Sequence, residues 1–452
     1  MKTEVVILGA GATGLTLAYE LHKRKIPFAL LETSSRTGGV IETHRENKFV
    51  FESGPNTLQL NRNEVGVLFE ELGLQPVLPS ENAKYRYILK NGRWCALPSS
   101  PLSLVTTRLF SVKDKLKLMV EPLRRSGHFE NETLAATVVR RLGQSFLDYA
   151  IDPFVSGIYA GDPNELITRV AFPRLYNLEK NYGSFIRGAI HKKFDKTNIK
   201  HPMVTNKSIT LSGGLETLIK TLEQKLPAKS IHRNIKLKRW KHNKNGLSIE
   251  WIENKRAHSL QTNHLVYCGS SARINDFLRT GALRGTELLS EPTTANVIQV
   301  SVGFHQWQGK KLDGFGLLAP SIERAGFLGV LFPSAIFSGR APENGALLSF
   351  FFGGRRNPLD ELESDTLVLK SVQKILAQHF ETNKKPDLFR VFRYQGGIPQ
   401  YDIGFDLIAQ GIERLQNKFP GLHIKGNIRD GIGLPDRIVQ AVQFAEQLAQ
   451  ST

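Results

Sequence analysis

A glycine-rich turn lies between two apolar segments near the start of the chain, and its residues are Gly9, Ala10, Gly11, Ala12, Thr13 and Gly14. The apolar residues 5–8 before it predict a buried strand, and residues 15–25 after it predict a helix. In such a unit Gly9 permits a tight turn, Gly11 lets the backbone approach a pyrophosphate, and Gly14 lets helix and strand pack closely. The positive end of the helix would face the anion. The turn therefore predicts a dinucleotide-binding unit, and a turn that binds nothing is the plainer alternative.

A second group of residues indicates which dinucleotide is bound. Glu32 ends the next predicted strand, residues 28–32, where a carboxylate accepts hydrogen bonds from the adenosine ribose. Glycine pairs beyond it let the backbone lie against a long cofactor, and Arg36 adds a cation for its phosphates. At the far end of the chain, residues 435–448 predict a helix whose positive end faces an electron-rich ring. Because both chain ends meet on one cofactor, we expect FAD, contacted by Glu32, Arg36, Gly38, Gly39, Val40, Gly54, Pro55, Asn56, Thr57, Gly426, Asn427, Ile432, Gly433 and Leu434.

These segments, together with residues 212–218, resemble the flavin amine oxidase superfamily. Within it, residues 152–163, 171–173 and 178–184 are similar to the oxygen-dependent protoporphyrinogen oxidases of plant and bacterial type. The match runs in order from Val5 to about Leu448. It implies a non-covalently bound FAD, with Ile235 also at the cofactor.

The resemblance implies an oxidoreductase of haem and tetrapyrrole biosynthesis. Protoporphyrinogen IX would lose six electrons in three hydride transfers to flavin N5, with O2 or another acceptor reoxidising the flavin. Coproporphyrinogen III, oxidised to coproporphyrin, is the alternative substrate. An amine oxidase, a carotenoid desaturase or a non-catalytic flavoprotein are more distant alternatives. The resemblance also implies hand-off of the product to a ferrochelatase, and it is compatible with a homodimer.

The substrate-binding positions come from the resemblance: Arg86, Gly157, Leu318, Leu331 and Phe351. Arg86 is implied to hold a propionate, which a guanidinium can bind through two hydrogen bonds. Leu318 and Leu331 are implied on one face of the tetrapyrrole and Phe351 on the other. By composition alone, the apolar residues would be ordinary core and Arg86 an exposed cation.

Gly157, with Ala160 and Gly161, belongs to a predicted loop of residues 156–162 in which small residues let a flat ligand approach the backbone. A helix end capped by a left-handed glycine is the alternative. No catalytic side chain is expected, because the flavin performs the chemistry. No metal site is expected either, since the 12 histidines are scattered.

Composition restricts the partners. The chain has 452 residues, with 60 Lys and Arg against 42 Asp and Glu, a net charge of +18. Such a surface favours acidic partners, and without a nucleic-acid-binding motif an anionic membrane is expected rather than nucleic acid. The two cysteines, Cys95 and Cys268, favour a reducing compartment. With no signal peptide or spanning segment recognised, we expect a cytoplasmic protein, peripheral on the cytoplasmic membrane face.

The expected fold is α/β, or α+β overall, with three parts. Residues 1–72, 206–275 and 420–452 predict a Rossmann-like FAD-binding domain. Residues 73–97 and 276–419 predict a substrate domain with a mostly antiparallel sheet. Residues 98–205 predict a helical, membrane-associated domain. Residues 192–208, at the end of this region, predict an exposed loop.

Residues 101–125 alternate apolar and basic side chains, and we expect them to form a helix at a membrane interface. An amphipathic helix packed on the protein's own core is the alternative. The resemblance favours the membrane, because the corresponding region of the family faces it.

Overall fold

The computed structural model describes residues 2–127, 129–194, 200–244, 246–357, 359 and 362–451. The strands are β1 (Lys2–Leu8), β2 (Phe28–Leu31), β3 (Glu42–Glu46), β4 (Phe49–Ser53), β5 (Leu58–Gln59), β6 (Pro76–Val77), β7 (Tyr85–Lys90), β8 (Arg93–Ala96), β9 (Ser208–Leu211), β10 (Ile231–His232), β11 (Lys236–Asn243), β12 (Gly246–Glu253), β13 (Arg256–Tyr267), β14 (Thr294–Phe304), β15 (Gly314–Leu318), β16 (Gly329–Leu331), β17 (Ala346–Gly353), β18 (Leu388–Pro399) and β19 (Leu422–Ile424).

The helices are α1 (Ala12–Lys23), α2 (Asn63–Glu71), α3 (Pro101–Thr106), α4 (Val112–Met119), α5 (Leu134–Arg141), α6 (Gln144–Phe146), α7 (Asp152–Tyr159), α8 (Thr168–Ala171), α9 (Pro173–Tyr182), α10 (Phe185–Phe194), α11 (Glu216–Gln224), α12 (Ile274–Thr280), α13 (Pro333–Ile336), α14 (Asp365–Phe380), α15 (Phe405–Lys418) and α16 (Leu434–Ser451).

The first sheet has the strand order β10-β2-β1-β13-β12-β11, and β19 also pairs with β13. The pairs β10–β2, β2–β1, β1–β13 and β13–β19 are parallel. Helices α1, α2, α11 and α16 pack on one face and α12 and α15 on the other. Burial on both faces explains why β1 and β2 read as nearly continuous apolar runs. Segments from the start, middle and end of the chain thus share one sheet.

Several predicted element boundaries were wrong. Helix α1 begins at Ala12 and ends at Lys23, because Lys25 has a left-handed φ of 58° that a helix cannot continue through. Helix α11 ends at Gln224, since Pro227 soon after it disfavours helical backbone at the residue before the proline. The predicted loop 192–208 overlaps α10 at its start and β9 at its end, and residues 195–199 lie outside the described residues.

The second sheet has the strand order β18-β14-β17-β16-β15-β7-β8. Its pairs are antiparallel except for β15 and β7, which run parallel. One face carries Leu317, Val330 and Phe350 into a core shared with α14. The opposite face carries Gln299, which contacts the segment after β4.

Residues 101–125 do not form the single helix that was predicted. They form α3, a break, α4 and a short 3-10 turn, Glu121–Leu123. Ser100 and Ser111 each cap a new helix start through their hydroxyl groups, and Thr107 between them is extended. Large apolar side chains here remain exposed, up to 79% for Leu123 and 75% for Leu102. In the described residues, no helix has the length and apolar character needed to cross a bilayer.

A buried ion network holds these short helices to the rest of the helical region. Arg141 and Glu121 are both fully buried, and Arg141 Nε donates to Glu121 at 2.8 Å. Arg140 donates to Glu179 at 2.7 Å and to Glu132 at 2.8 Å. The network therefore joins the turn after α4 to α5, α9 and the start of α10.

Burial would raise the pKa of Glu121, but hydrogen bonds from Ser184 and Arg141 outweigh it and hold the pKa below its usual value. Burial would likewise raise the pKa of Glu179, but the hydrogen bond from Arg140 outweighs it and the pKa is lowered. Carboxylates with a lowered native pKa stabilise the fold above their unfolded-state pKa, and this contribution is lost as the pH falls.

We predict that Arg141→Met lowers the free energy of unfolding by about 3–5 kcal/mol at neutral pH, because it leaves the Glu121 carboxylate buried without its cation. Urea unfolding at several pH values measures this. The wild type should lose stability as the pH drops below about 4.5, and the variant should lose less over that range. Arg239→Met, at an exposed pair with Glu250, is the control. Equal stability and pH dependence of Arg141→Met and wild type would contradict the prediction.

Candidate active site

The predicted cofactor glycines come together at the end of the first sheet. A Cβ built at Gly39 would lie 3.5 Å from Gly11 Cα, so the two glycine turns are in contact. The Gly38 amide donates to Ala10 O at 2.7 Å. A Cβ at Gly54 would lie 2.2 Å from Val40 O, which brings the segment after β4 against the second turn. Residues 9–14, 38–40 and 54–57 therefore form one continuous surface.

Glu32 is buried directly beneath this surface. Its carboxylate accepts the Ala10 amide at 2.7 Å and the Ser34 amide at 2.9 Å. Ile235 lies beside it, where its amide donates to Glu32 O at 3.1 Å while its side chain packs in the sheet core. Arg36 donates to the carbonyl of Gly39 at 2.6 Å and pairs with Glu42 at 3.0 Å. The Arg36 guanidinium thus holds the glycine turn at Gly39, and its charge is paired with the Glu42 carboxylate.

Three side chains hold the loop that precedes α16. The Tyr401 hydroxyl donates to Asn427 O at 3.2 Å and accepts the Gly431 amide at 3.0 Å. Arg437 donates to the carbonyls of Arg429 and Asp430 at 2.9 Å. The Gly426 amide donates to Gln440 at 2.8 Å. The predicted residues of this loop, Gly426, Asn427, Ile432, Gly433 and Leu434, are therefore held in place from both α16 and the β18–α15 connection.

The predicted substrate residues share one face of the second sheet. Gly316 pairs with both Arg86 and Leu331, while Gly329 pairs with both Leu318 and Phe351. Because side chains alternate between faces along a strand, all four side chains point away from the α14 core. The sequence separations among them are large, and only the strand order of this sheet makes them neighbours.

Gly157 faces the same surface, but from a helix. The predicted loop of residues 156–162 was wrong for its first part, because α7 continues to Tyr159. Ala160, and not a glycine, takes the left-handed cap position with a φ of 47°. A Cβ at Gly157 would lie 2.9 Å from Leu318 Cδ2, so α7 approaches β15 as closely as a glycine permits.

Side-chain hydrogen bonds join residues 54–57 of the glycine surface to the sheet face that carries the predicted substrate residues. Gln299 pairs with Phe351 across β14 and β17, so its side chain lies on the same face. It accepts the Gly54 amide at 2.8 Å and donates to Glu52 O at 2.8 Å. On the neighbouring row, Ser349 donates to the Asn56 side chain at 3.2 Å. The segment 54–57 is thus bound directly to the strands that carry the predicted substrate residues.

Arg86 is the charged member of the predicted substrate set. Its guanidinium stacks on the Phe315 ring at 4.8 Å, and partial burial lowers its pKa. The side chain is exposed by surface area, and it forms no ion pair with the other described residues. A cation in this position is available to a carboxylate ligand.

Sequence reasoning missed residues that the fold brings to the site. Cys268 and Gly269 lie between Gly9 and Gly426, whose built Cβ atoms would approach them to 3.0 and 3.2 Å. The available signal was the apolar run before them, which ends at Tyr267 of β13, because ligands of parallel sheets bind at the carboxyl ends of strands. Gln299 and Tyr401 had no such signal, because a lone Gln or Tyr in a strand or loop has no motif around it.

The residues present fit an extended dinucleotide. A Cβ at Gly11 would meet no atom within 4 Å, so this side of the turn is open, whereas a Cβ at Gly14 would lie 1.9 Å from Gly9 O. In the first turn of α16, the buried Arg437 Nε has no hydrogen-bond partner in the part of the chain described. FAD would fit these features at both of its ends. The open glycine face and the Glu32 carboxylate suit the adenosine end, and the unpaired Arg437 donor suits the flavin end. In contrast, the described residues hold no cluster of metal-binding side chains.

Comparison with known proteins gives consistent results. The family model described as flavin containing amine oxidoreductase matches residues 12–418. Protoporphyrinogen oxidase 2 of Arabidopsis thaliana is 30% identical over 98% of this chain and 93% of its own length. Coproporphyrinogen III oxidase of Bacillus subtilis (strain 168) is 26% identical over 97% and 96%. A crystal structure from Exiguobacterium sp. 255-15, provisionally described as a protoporphyrinogen oxidase, covers 100% of both chains with a TM-score of 0.83 at 22% identity.

We predict that Gly11→Val folds but loses FAD, because the added side chain enters the open face without striking the protein. Flavin absorbance per mole of purified protein and far-UV circular dichroism measure the two effects.

Gly14→Ala is the matched comparison at the same turn. Its methyl group would collide with Gly9 O, so this variant should lose folded protein as well as FAD. Full flavin content in folded Gly11→Val would contradict the cofactor assignment to this turn.

Proposed function

The chain belongs to the family of flavin-containing amine oxidoreductases, is an FAD-dependent oxidoreductase, and, we propose, oxidises protoporphyrinogen IX to protoporphyrin IX. The observation that carries the proposal is the shared sheet face. Arg86, Leu318, Leu331 and Phe351 lie there together, and Gln299 fastens that face to the segment 54–57. A flat apolar ligand with a carboxylate at its rim would suit this arrangement.

FAD, when bound, supplies a two-electron acceptor that is used three times, with O2 or another acceptor reoxidising it. We assign its binding to residues 9–14, 32, 36, 38–40, 54–57, 235 and 426–434. The protein's own contribution is positioning. Leu318, Leu331 and Phe351 exclude water from the macrocycle, and Arg86 fixes its orientation through a propionate.

The protein side chains that we propose to bind the substrate favour one of the two porphyrinogens. Protoporphyrinogen IX carries two propionates beside apolar vinyl groups, whereas coproporphyrinogen III carries four propionates. On the shared face Arg86 is the charged member of the proposed set, and its companions are apolar, which favours the substrate with fewer carboxylates. The Bacillus subtilis relative bears the coproporphyrinogen name, so coproporphyrinogen III remains the second candidate.

We also propose that three parts of the chain have separate roles, as expected from the sequence. We assign residues 1–72, 206–275 and 420–452 to FAD, residues 73–97 and 276–419 to substrate, and residues 98–205 to a membrane-facing helical part. The exposed Leu102, Val105, Val112, Met119 and Leu123, with neighbouring lysines, support docking on an anionic lipid surface at the cytoplasmic face. An apolar product released there would be accessible to a ferrochelatase.

We predict that Arg86→Ala raises KM for the preferred porphyrinogen roughly ten- to a hundredfold, since loss of a hydrogen bond to a charged group costs about 1.5–3 kcal/mol. FAD content should be unchanged and kcat should change less than KM, because Arg86 binds the rim. Lysine should recover only part of the loss, because it lacks the planar fork.

Steady-state kinetics with both porphyrinogens tests this, and Arg93→Ala, an exposed arginine on the adjacent β8, is the control. If Arg86→Ala has wild-type kcat and KM values on both substrates, Arg86 does not bind the substrate's propionate. If the wild type prefers coproporphyrinogen III, the second candidate replaces the first.

We also predict that Lys113→Glu with Lys117→Glu weakens binding to phosphatidylserine vesicles by at least about 2 kcal/mol, at about 1 kcal/mol per basic group. Both lysines are exposed on α4. Lys115 is left unchanged, because it donates to Val105 O at 2.6 Å and Thr107 O at 2.8 Å and so supports the fold.

Vesicle sedimentation at several salt concentrations gives the measurement. Lys236→Glu with Lys238→Glu, on exposed β11, makes the same change in net charge and should leave binding nearly intact. Equal loss in the two pairs would indicate a general charge effect, and salt-insensitive binding would exclude the proposed surface.

A further inference from the structure

Arg437 is a buried cation in the first turn of α16, and 7% of its surface is exposed. Its terminal nitrogens donate to the carbonyls of Arg429 and Asp430 at 2.9 Å and to Gln440 Oε1 at 3.2 Å. All three acceptors are neutral oxygens. The Nε of Arg437 has no hydrogen-bond partner among the described residues. The guanidinium therefore holds the loop before α16 while its charge is left without a carboxylate in direct contact.

The carboxylates near Arg437 are held by other arginines. Asp430 accepts Arg429 Nε at 2.9 Å, and Asp436 pairs with Arg62 at 3.3 Å. Within the described residues, neither carboxylate forms an ion pair with Arg437. Both attract its charge from a distance and would raise its pKa, but burial outweighs them and lowers that pKa. Arginine nevertheless keeps its proton, so the charge is permanent.

A second buried cation lies at the same loop. Lys425 directly precedes Gly426, and its ammonium lies 4.2 Å from the centre of the Phe444 ring on α16. Burial lowers the pKa of Lys425 as it does that of Arg437. The Cys268 thiol, on which both cations act, does not compensate them, because burial raises its pKa to about 12 and it stays neutral.

The start of α16 is therefore electropositive for two reasons. A long helix has the positive end of its dipole at its first turn, and α16 has 18 residues. The charged side chains around this turn and its loop add a net charge of +2, from Arg62, Lys425, Arg429 and Arg437 against Asp430 and Asp436.

We propose that Arg437 stabilises the reduced, anionic form of the flavin and so raises the reduction potential of the bound FAD. This inference rests on the proposed placement of the flavin end at residues 426–434. Two electrons and one proton convert the neutral oxidised ring into a reduced ring with one negative charge. A fixed cation in a water-poor environment favours the charged form over the neutral one, and charge near the ring is a means by which proteins tune flavins.

The experiment compares Arg437→Gln, Arg437→Lys and the wild type, each loaded with FAD and without substrate. Equilibration with a redox dye gives the reduction potential. Sulfite titration gives a second measure, because sulfite adds to the oxidised ring, leaves it negatively charged and bleaches its absorbance. Arg437→Gln should shift the equilibrium toward oxidised FAD about tenfold, which is about 30 mV for a two-electron couple, and should weaken sulfite binding to a similar extent. Arg437→Lys keeps a positive charge and should lie closer to the wild type.

Two further variants separate charge from loop structure. Tyr401→Phe removes the hydroxyl that bonds Asn427 O and the Gly431 amide, so it loosens the same loop without changing its charge. It should weaken FAD binding but change the reduction equilibrium less than about threefold. Arg62→Gln removes an equal charge beside the same helix start, where the side chain is 42% exposed and water screens it. It should leave the potential and the sulfite affinity nearly unchanged.

The outcomes are distinct. An unchanged potential in folded, FAD-loaded Arg437→Gln overturns the inference, even if FAD binds more weakly, because the cation would then act on the pyrophosphate. An equal shift in Tyr401→Phe also overturns it, since loop structure would be the cause. A protein that shows the expected potentials but oxidises no porphyrinogen overturns the proposed function and leaves this inference intact.

Should Arg437→Gln fail to hold FAD, the wild type provides the test. Uptake of one proton per two electrons around neutral pH supports an anionic reduced flavin, and uptake of two protons contradicts it. The histidine next to Lys425 in this region, His423, does not interfere, because burial lowers its pKa to about 3.

Discussion

The buried side-chain amide of Gln299 joins the segment 54–57 to the sheet face that carries the proposed substrate residues. Gln299 is almost fully buried, and its carbonyl and amino groups are both used, toward the Gly54 amide and Glu52 O. Neither group can be released without leaving a buried polar atom unsatisfied, which costs about 1–3 kcal/mol. Since Gln299 extends from the middle of β14, the segment 54–57 has the rigidity of the sheet and not that of a loop.

The surrounding charges reinforce this junction. The Glu52 carboxylate accepts Arg340 at 3.0 Å, Thr43 at 2.6 Å and the Leu215 amide at 3.1 Å. Arg340 belongs to the connection between α13 and β17, and it also donates to Thr210 at 2.7 Å. These bonds join three chain segments that are far apart in sequence. The proposed chemistry relies on positioning, and such a joint would hold the proposed cofactor and substrate segments in a fixed relation.

The sequence predicted those parts of the molecule whose signals are local. The glycine turn, Glu32 and the first strands follow from spacing and apolar runs, and a mostly antiparallel second sheet was expected within residues 276–419. Residue-by-residue resemblance supplied Arg86, Leu318, Leu331 and Phe351, which composition alone would have assigned to core or surface. The division of residues 101–125 into α3 and α4 was missed because Ser100 and Ser111 compete as helix caps, and an amphipathic pattern does not show a break between them. Gln299, Arg437 and Tyr401 were missed because their partners are defined only by the completed fold.

The helical region has a fully buried charged pair and many exposed apolar side chains. Arg141 and Glu121 are fully buried, while Leu102, Met119 and Leu123 are largely exposed. Short helices such as α3 and α4 have little stability of their own, and they cannot use those apolar side chains for packing without removing them from the surface. The buried ion network provides an alternative attachment, because its charge-assisted hydrogen bonds hold the backbone turn after α4 from within. This arrangement leaves the apolar side chains exposed, as the proposed lipid-binding surface requires, and it holds the short helices in place without help from that surface.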